Sequence, residues 1–195
     1  MRRLPALLLV LCAACVSTRP AVDAGFDWPV PEGWKHETIP FPLGFAPDLG
    51  LAGVEELRFM PGFLDPGSAG WWSYEFVWWL SEAPPLEAAR LEPLLTAYFR
   101  GLAESVGGGR YAFDATRFRA RLAPAHDAVG ALLAGEIASY DPFRTGAPID
   151  LRVEVRRREL PESGRVALFF RVSPRPAGDP VWNALAACAE GWRAR

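Results

Sequence analysis

Side chains able to carry out chemistry are few in this sequence, and their spacing narrows what they can do. There are two histidines, His36 and His126, and neither stands at metal-ligand spacing from another histidine, a cysteine or a carboxylate cluster, which argues against a histidine-based zinc site. His126-Asp127 has the composition of a base activated by a carboxylate. Adjacent residues on an extended strand point to opposite faces, however, and no Gly-x-Ser-x-Gly turn supplies a nucleophile, so the pair reads as loop residues. Cys188 sits beside Ala186, Ala187 and Ala189 in an apolar helical pattern and reads as a buried small hydrophobe rather than a nucleophile. Gly107-Gly108-Gly109 lacks the Gly-Lys-Ser/Thr ending and the following helix of a phosphate loop, and is a turn. The residues assign no catalytic group, no cofactor and no metal ligand.

Carboxylates and tryptophans leave more room. Glu75, Glu136 and Asp141 fall in or near strands, and a carboxylate-dependent hydrolase of the glycosidase kind would need two of them held at a set separation. Glu75 shares a strand side with Trp71 and Trp79. If that side is buried, Glu75 needs an arginine such as Arg58. If it is exposed, Trp71, Glu75 and Trp79 form aromatic platforms around a carboxylate, a tentative ligand surface of the sort a carbohydrate-binding module uses. The large area that tryptophan buries favours packing. Arg119, Arg121, Arg152, Arg156, Arg158, Arg165 and Arg171 could make a basic sheet face, but Glu136 and Glu154 are interspersed, and a solvated lattice of ion pairs is the simpler reading.

The elements that must position these groups follow from periodicity. Gly25 to Gly50 is rich in proline and glycine and reads as irregular chain or edge strand. Val54 to Met60 and Trp71 to Leu80 alternate as a hairpin, with Trp72, Tyr74, Phe76, Trp78 and Leu80 on the core side. After Pro84-Pro85, apolar residues from Leu86 to Leu102 gather on one helix face. Pro93 places the regular start near Leu91, and Gly107 to Gly109 ends it. Thr116–Leu122, Gly130–Asp141, Ile149–Glu159 and Gly164–Ser173 form a four-stranded meander. Asp179-Pro180 then opens a C-terminal helix, Asp179 as cap and Pro180 at the first turn, expected on the sheet's apolar side. The fold class is α+β with an antiparallel sheet. This order, entered through Pro31-Glu32-Gly33-Trp34, resembles the Mog1/PsbP-like sandwich. The resemblance implies a binding or assembly role more than a catalytic one, and it carries over no functional residue.

Half of the 195 residues are apolar and 12% aromatic, which is too much for a disordered chain and enough for one domain with a substantial core. The net charge of −2 hides an acidic first half and a basic second half. No run of five or six like charges marks a nucleic-acid arm, so no nucleic-acid partner is expected.

The first residues give an address. Arg2-Arg3, the apolar stretch Leu4 to Leu11 and Cys12-Ala13-Ala14-Cys15 follow the charged, apolar, small-residue order of a secretory signal, too short to span a bilayer permanently. Two alanines before a cysteine resemble the lipobox of bacterial lipoproteins, which implies lipidation at Cys15. Cys12 stands where that family usually has leucine, and cleavage by the ordinary signal peptidase would instead give a secreted protein. The expected organisation is a signal over 1–15, a flexible tether over 16–27 and one domain over 28–195. The expected role is an exported envelope protein, lipid-anchored to a bacterial membrane and facing the periplasm or the cell surface. It would act as a non-enzymatic binding or assembly domain for an envelope protein or ligand. A secreted hydrolase and a carbohydrate-binding module are the alternatives.

Overall fold

A strand with large apolar side chains on both of its sides cannot lie at a solvent boundary, and Tyr74-Glu75-Phe76-Val77-Trp78-Trp79-Leu80 is such a strand. In the computed structural model, which describes residues 25–195, every residue of this segment is buried. The signal-like segment 1–15, with Cys12 and Cys15, and tether residues 16–24 lie outside the described residues.

In chain order the strands are β1 (Phe26–Asp27), β2 (Lys35–Pro40), β3 (Gly53–Phe59), β4 (Tyr74–Leu80), β5 (Arg119–Asp127), β6 (Gly130–Tyr140), β7 (Pro148–Leu160), β8 (Arg165–Ser173) and β9 (Arg193–Ala194). Two helices, α1 (Ala88–Gly107) and α2 (Pro180–Glu190), separate β4 from β5 and β8 from β9. Seven strands form one antiparallel sheet in the order β2-β3-β4-β8-β7-β6-β5, and β1 pairs with β9 apart from it. The α+β class with an antiparallel sheet is therefore the observed one, and the hairpin and the meander meet where β4 pairs with β8.

The side of β4 that carries Tyr74, Phe76, Trp78 and Leu80 faces the larger core, under α1. There the Phe76 ring stacks on Phe170 of β8 at 4.4 Å and on Tyr98 of α1 at 5.4 Å, contacts worth about 0.5–1.5 kcal/mol each beyond area burial. Helix α2 departs from expectation. It lies on the opposite face, where Val77, Trp79, Ala167, Phe169, Cys188 and Trp192 form a second core. The reason is that β4 and β8 are apolar on both sides, so the second side also needs a cover, and the chain supplies it from its two ends. Asp179 caps α2 by accepting from the Val181 N–H at 2.9 Å, with Pro180 in the first turn, as its sequence requires.

Other boundaries shift for local reasons. Phe26 and Asp27, expected in the tether, pair with Ala194 and Arg193, so the folded unit begins before residue 28. Helix α1 starts at Ala88, and Pro93 is accommodated inside it, although proline removes one backbone bond there. Trp71 and Trp72 precede β4 in a turn, with Trp72 at φ 51°, an uncommon conformation for a bulky residue. Its ring still reaches the main core. Residues Ala115–Arg117 form a short helical turn capped by Asp114, so β5 starts later than Thr116 and runs on to Asp127.

At Gly101 of α1 the loop before β3 lies directly on the helix, since a Cβ there would meet the Phe45 carbonyl oxygen at 2.0 Å. Glycine to alanine in a helix interior ordinarily stabilises by about 1 kcal/mol. Here the sign reverses: Gly101→Ala is expected to cost about 1–3 kcal/mol through forced displacement of the loop, seen as a lower urea midpoint with unchanged slope.

Candidate functional site

Strand β3 sets an unusual problem, because the consecutive residues Glu55, Glu56, Leu57 and Arg58 are all buried and three of them are charged. A charge without partners is costly inside a protein. Alternation sends Glu56 and Arg58 to the α2 side and Glu55, Leu57 and Phe59 to the α1 side, and the two sides solve the problem differently.

On the α2 side the charges are matched. Arg58 Nη1 donates to Glu56 Oε1 at 2.7 Å and to the Leu57 carbonyl at 2.9 Å, and Nη2 donates to the Trp28 carbonyl. The guanidinium also lies 4.4 Å from the Trp28 ring centroid, a cation–π contact. Trp28 Nε1 donates in turn to the Cys188 carbonyl at 2.9 Å. This chain of contacts fastens the N-terminal segment to the sheet and to α2.

Glu75 lies on the same side, and its burial corrects the ligand-surface reading. Glu75 and Trp79 are 0% and 1% exposed and Trp71 is half-buried, so Trp71, Glu75 and Trp79 form no exposed platform. Arg171 Nε stands 3.8 Å from Glu75 Oε1, while Arg58 contacts Glu56 instead. Neither Glu75 oxygen has a hydrogen-bond partner. Burial pushes the Glu75 carboxyl well above the usual carboxylate range, and Arg171 opposes that only in part. Closed off in this way, Glu75 does not flank a cleft with a second carboxylate. Burial, with the Glu75 charge adding to it, also pushes the Cys188 thiol up to about 12, the reverse of an activated nucleophile.

The remaining residues singled out from the sequence are structural or exposed. Asp141 is buried and accepts from Trp72 Nε1 at 3.2 Å and from the Phe143, Arg144 and Thr145 N–H groups at 3.0–3.3 Å, which ties the β6–β7 turn to the Trp72 loop. Glu136 pairs with Arg152 at 3.6 Å. His126 and Asp127 are exposed at the end of β5, and Asp127 accepts from the Val129 N–H at 2.8 Å and pairs with Arg156. Arg117 with Asp150, Arg121 with Glu92, and Arg171 with Glu154 continue the ion-pair lattice. Among the described residues no group of three or more His, Cys, Asp and Glu could hold a metal ion.

On the α1 side Glu55 has no cation. It is 0% exposed. Oε1 accepts from Trp78 Nε1 at 2.9 Å, and Oε2 is unpartnered. Burial raises its carboxyl from 4.5 to about 7, with the Trp78 indole N–H and the nearby Tyr98 phenol opposing the shift and the Glu37 charge adding to it. Tyr74 and Tyr98 stand close enough for the Glu55 charge to push both phenols well above their ordinary range, behind the larger effect of burial. In front of these groups, a depression of about 1950 Å³ runs round the β2 edge. It remains open because α1 packs mainly against β5 and β6 and leaves β2 exposed. Its α1 side is lined by Phe45, Phe59, Phe63, Tyr74, Tyr98 and Leu102.

An open depression with a cluster of aromatic side chains on its α1 side, backed by a carboxyl of raised pKa, is the arrangement expected of a binding site. Sequence reading did not single it out. The available signal was Glu55 in register with Leu57 and Phe59 on the core side of β3, a carboxyl in an apolar row.

Glu55 also makes stability depend on pH. The folded state keeps a proton that the unfolded chain releases between about pH 4.5 and about 7, so stability is full below that window and falls as pH rises through it. The loss from this group is about 3 kcal/mol, and Glu75 acts in the same direction. Urea unfolding at about pH 5 and about pH 8 is expected to show the folded state weaker at the higher pH. Glu55→Gln should reduce that difference by stabilising the protein at pH 8; a Glu55→Gln variant with an unchanged pH dependence would contradict the assignment.

No family model and no curated protein matches the chain. Among solved structures it is similar to the solution structure of cyanobacterial PsbP (CyanoP) from Synechocystis sp. PCC 6803, with 9% sequence identity, 89% of each chain covered and a TM-score of 0.41. A likeness at that level carries nothing about function, and the α+β class stands on the strand order and helix placement of this chain itself.

Proposed function

We propose that this chain is an exported, lipid-anchored domain of the bacterial envelope that binds an apolar ligand in the depression between β2, β3 and α1, without chemical conversion. The observation that carries the binding reading is the aromatic lining in front of the buried Glu55, Tyr74 and Tyr98. Support for the address comes from the sequence alone: the signal-like order of Met1 to Ala14 and the lipobox-like Cys15. No helix of the described residues is long and apolar enough to cross a membrane, so attachment to a membrane through Cys15 would place all of the described fold beside the bilayer.

An enzymatic reading finds less support. The carboxylates singled out from the sequence are buried apart or paired with arginine, and the thiol of Cys188 is held protonated.

Two measurements test the proposal. The intact mass of the membrane-extracted product of the full chain is expected to match an acylated polypeptide beginning at Cys15, and Cys15→Ser is expected to abolish it; an unacylated product cut elsewhere would remove the anchor. Decanol, titrated calorimetrically below its solubility limit, is expected to bind saturably, and Leu102→Arg, which puts a charge on the apolar wall, is expected to weaken it about tenfold or more.

A further inference from the structure

The α1 side of the depression has a polarity that apolar contact leaves unexplained. Tyr74 lines the depression yet is only 2% exposed, and its hydroxyl has no partner. Behind it Glu55 Oε2 is also unpartnered. Buried polar atoms left without partners each cost about 1–3 kcal/mol, and in folded proteins they are uncommon enough that each calls for a reason.

The charged groups that face Glu55 decide what the reason is. From β2 it faces Glu37, a second carboxylate. From β4 it faces Tyr74 and the Trp78 indole, and from α1 the Tyr98 phenol. None of these is a cation; Lys35 and Arg144 also line the depression, but Lys35 stands opposite Phe59 at the far end of β2 and Ile39 is the β2 residue opposite Glu55. Other buried or half-buried carboxylates are satisfied from within the protein: Glu56 has Arg58, Glu154 has Arg171, and Asp141 accepts from the Trp72 indole and three backbone N–H groups. The rings of Phe45, Phe59, Phe63, Tyr74 and Tyr98 lie among the residues in front, and ring faces attract cations.

We infer that this site takes a linear amphiphile by its amine end, the ammonium group seating against Tyr74 and Tyr98 in front of Glu55 while the alkyl chain lies along Phe45, Phe59, Phe63 and Leu102. The inference rests on the binding function proposed above and adds the chemistry of the ligand's head. Ammonium brings three hydrogen-bond donors and no acceptor, which suits a hydroxyl oxygen without a donor, and its charge compensates the carboxylate that no protein cation matches. A carboxylate head would instead add a negative charge beside Glu55 and Glu37. An alcohol head offers one donor and no charge.

Three ligands of equal chain length separate head from tail: decylamine, decanol and decanoate, each titrated calorimetrically into the full chain at about pH 8 and below the onset of micelles. Decylamine is expected to bind about tenfold or more tighter than decanol, in line with the greater strength of charge-assisted hydrogen bonds, and decanoate is expected to bind most weakly. Glu55→Gln should bring decylamine down to the affinity that decanol has for the same variant, and a cooperative urea transition shows that the variant is folded. Tyr74→Phe should lose part of the amine preference, and it serves as the test if Glu55→Gln does not fold. Leu102→Arg should weaken both ligands, separating binding in the depression from amine adsorption to acidic surface. Equal binding of all three ligands, preference for decanoate, or an amine preference that survives Glu55→Gln would overturn the head assignment and leave the apolar site standing. Failure of all three to bind would overturn both.

Discussion

The structure depends on the pairing of β4 with β8, which joins a three-stranded unit to a four-stranded one through two strands that are apolar on both faces. That pairing aligns Phe76 with Phe170 toward α1 and Val77 with Phe169 toward α2. Two apolar faces at the centre of one sheet require two covers. Helix α1 and the loop after β2 supply one, and the N-terminal segment, α2 and β9 supply the other. The β1–β9 pair and the Trp28–Arg58–Cys188 contacts follow from this, since they hold the second cover in place.

The same constraint accounts for the depression. Helix α1 is long enough to cover β5, β6 and the centre of the sheet but does not reach β2, whose side chains remain exposed. The space between is bordered by Phe45 from one loop and Phe63 from another, with Gly101 allowing the first loop to lie directly on the helix. A binding site arises where one cover ends. Its two interior faces also differ in electrostatics: the α2 side of β3 neutralises Glu56 with Arg58, while the α1 side leaves Glu55 to be neutralised by a proton.

Much of this was legible in the residues. Alternation in Tyr74 to Leu80 named the core side correctly, the meander followed from Leu151, Val153 and Val155 with Val166, Leu168, Phe170 and Val172, and Asp179-Pro180 marked the start of α2. The face that α2 covers was not legible, because Val77, Trp79, Ala167 and Phe169 show that a second side is apolar without showing which segment covers it. Trp71 and Trp72 looked like strand residues, since period-two alternation continues through them and only backbone geometry places them in a turn. The depression depends on two loops brought together from distant parts of the chain, and no local pattern records that. Glu55 is readable as a carboxyl in an apolar row, but nothing local in the sequence distinguishes it from Glu75, which is flanked by tryptophans and equally buried.

The position of β8 bears on the order of events as the chain acquires its structure. It is the last strand of the main sheet in sequence and lies at the centre of that sheet in space, between β4 and β7. A polypeptide that emerges N-terminus first therefore presents β2, β3 and β4 long before the strand that completes them, with α1 following at once to cover the Trp78 side and nothing yet made to cover the Trp79 side. Contacts so distant in sequence form slowly, and uncovered strand edges favour wrong partners in the interval. Until Ser173 has emerged β4 keeps a free edge, and its Trp79 face stays uncovered until α2 and Trp192 follow, so the need for a chaperone extends to the end of synthesis.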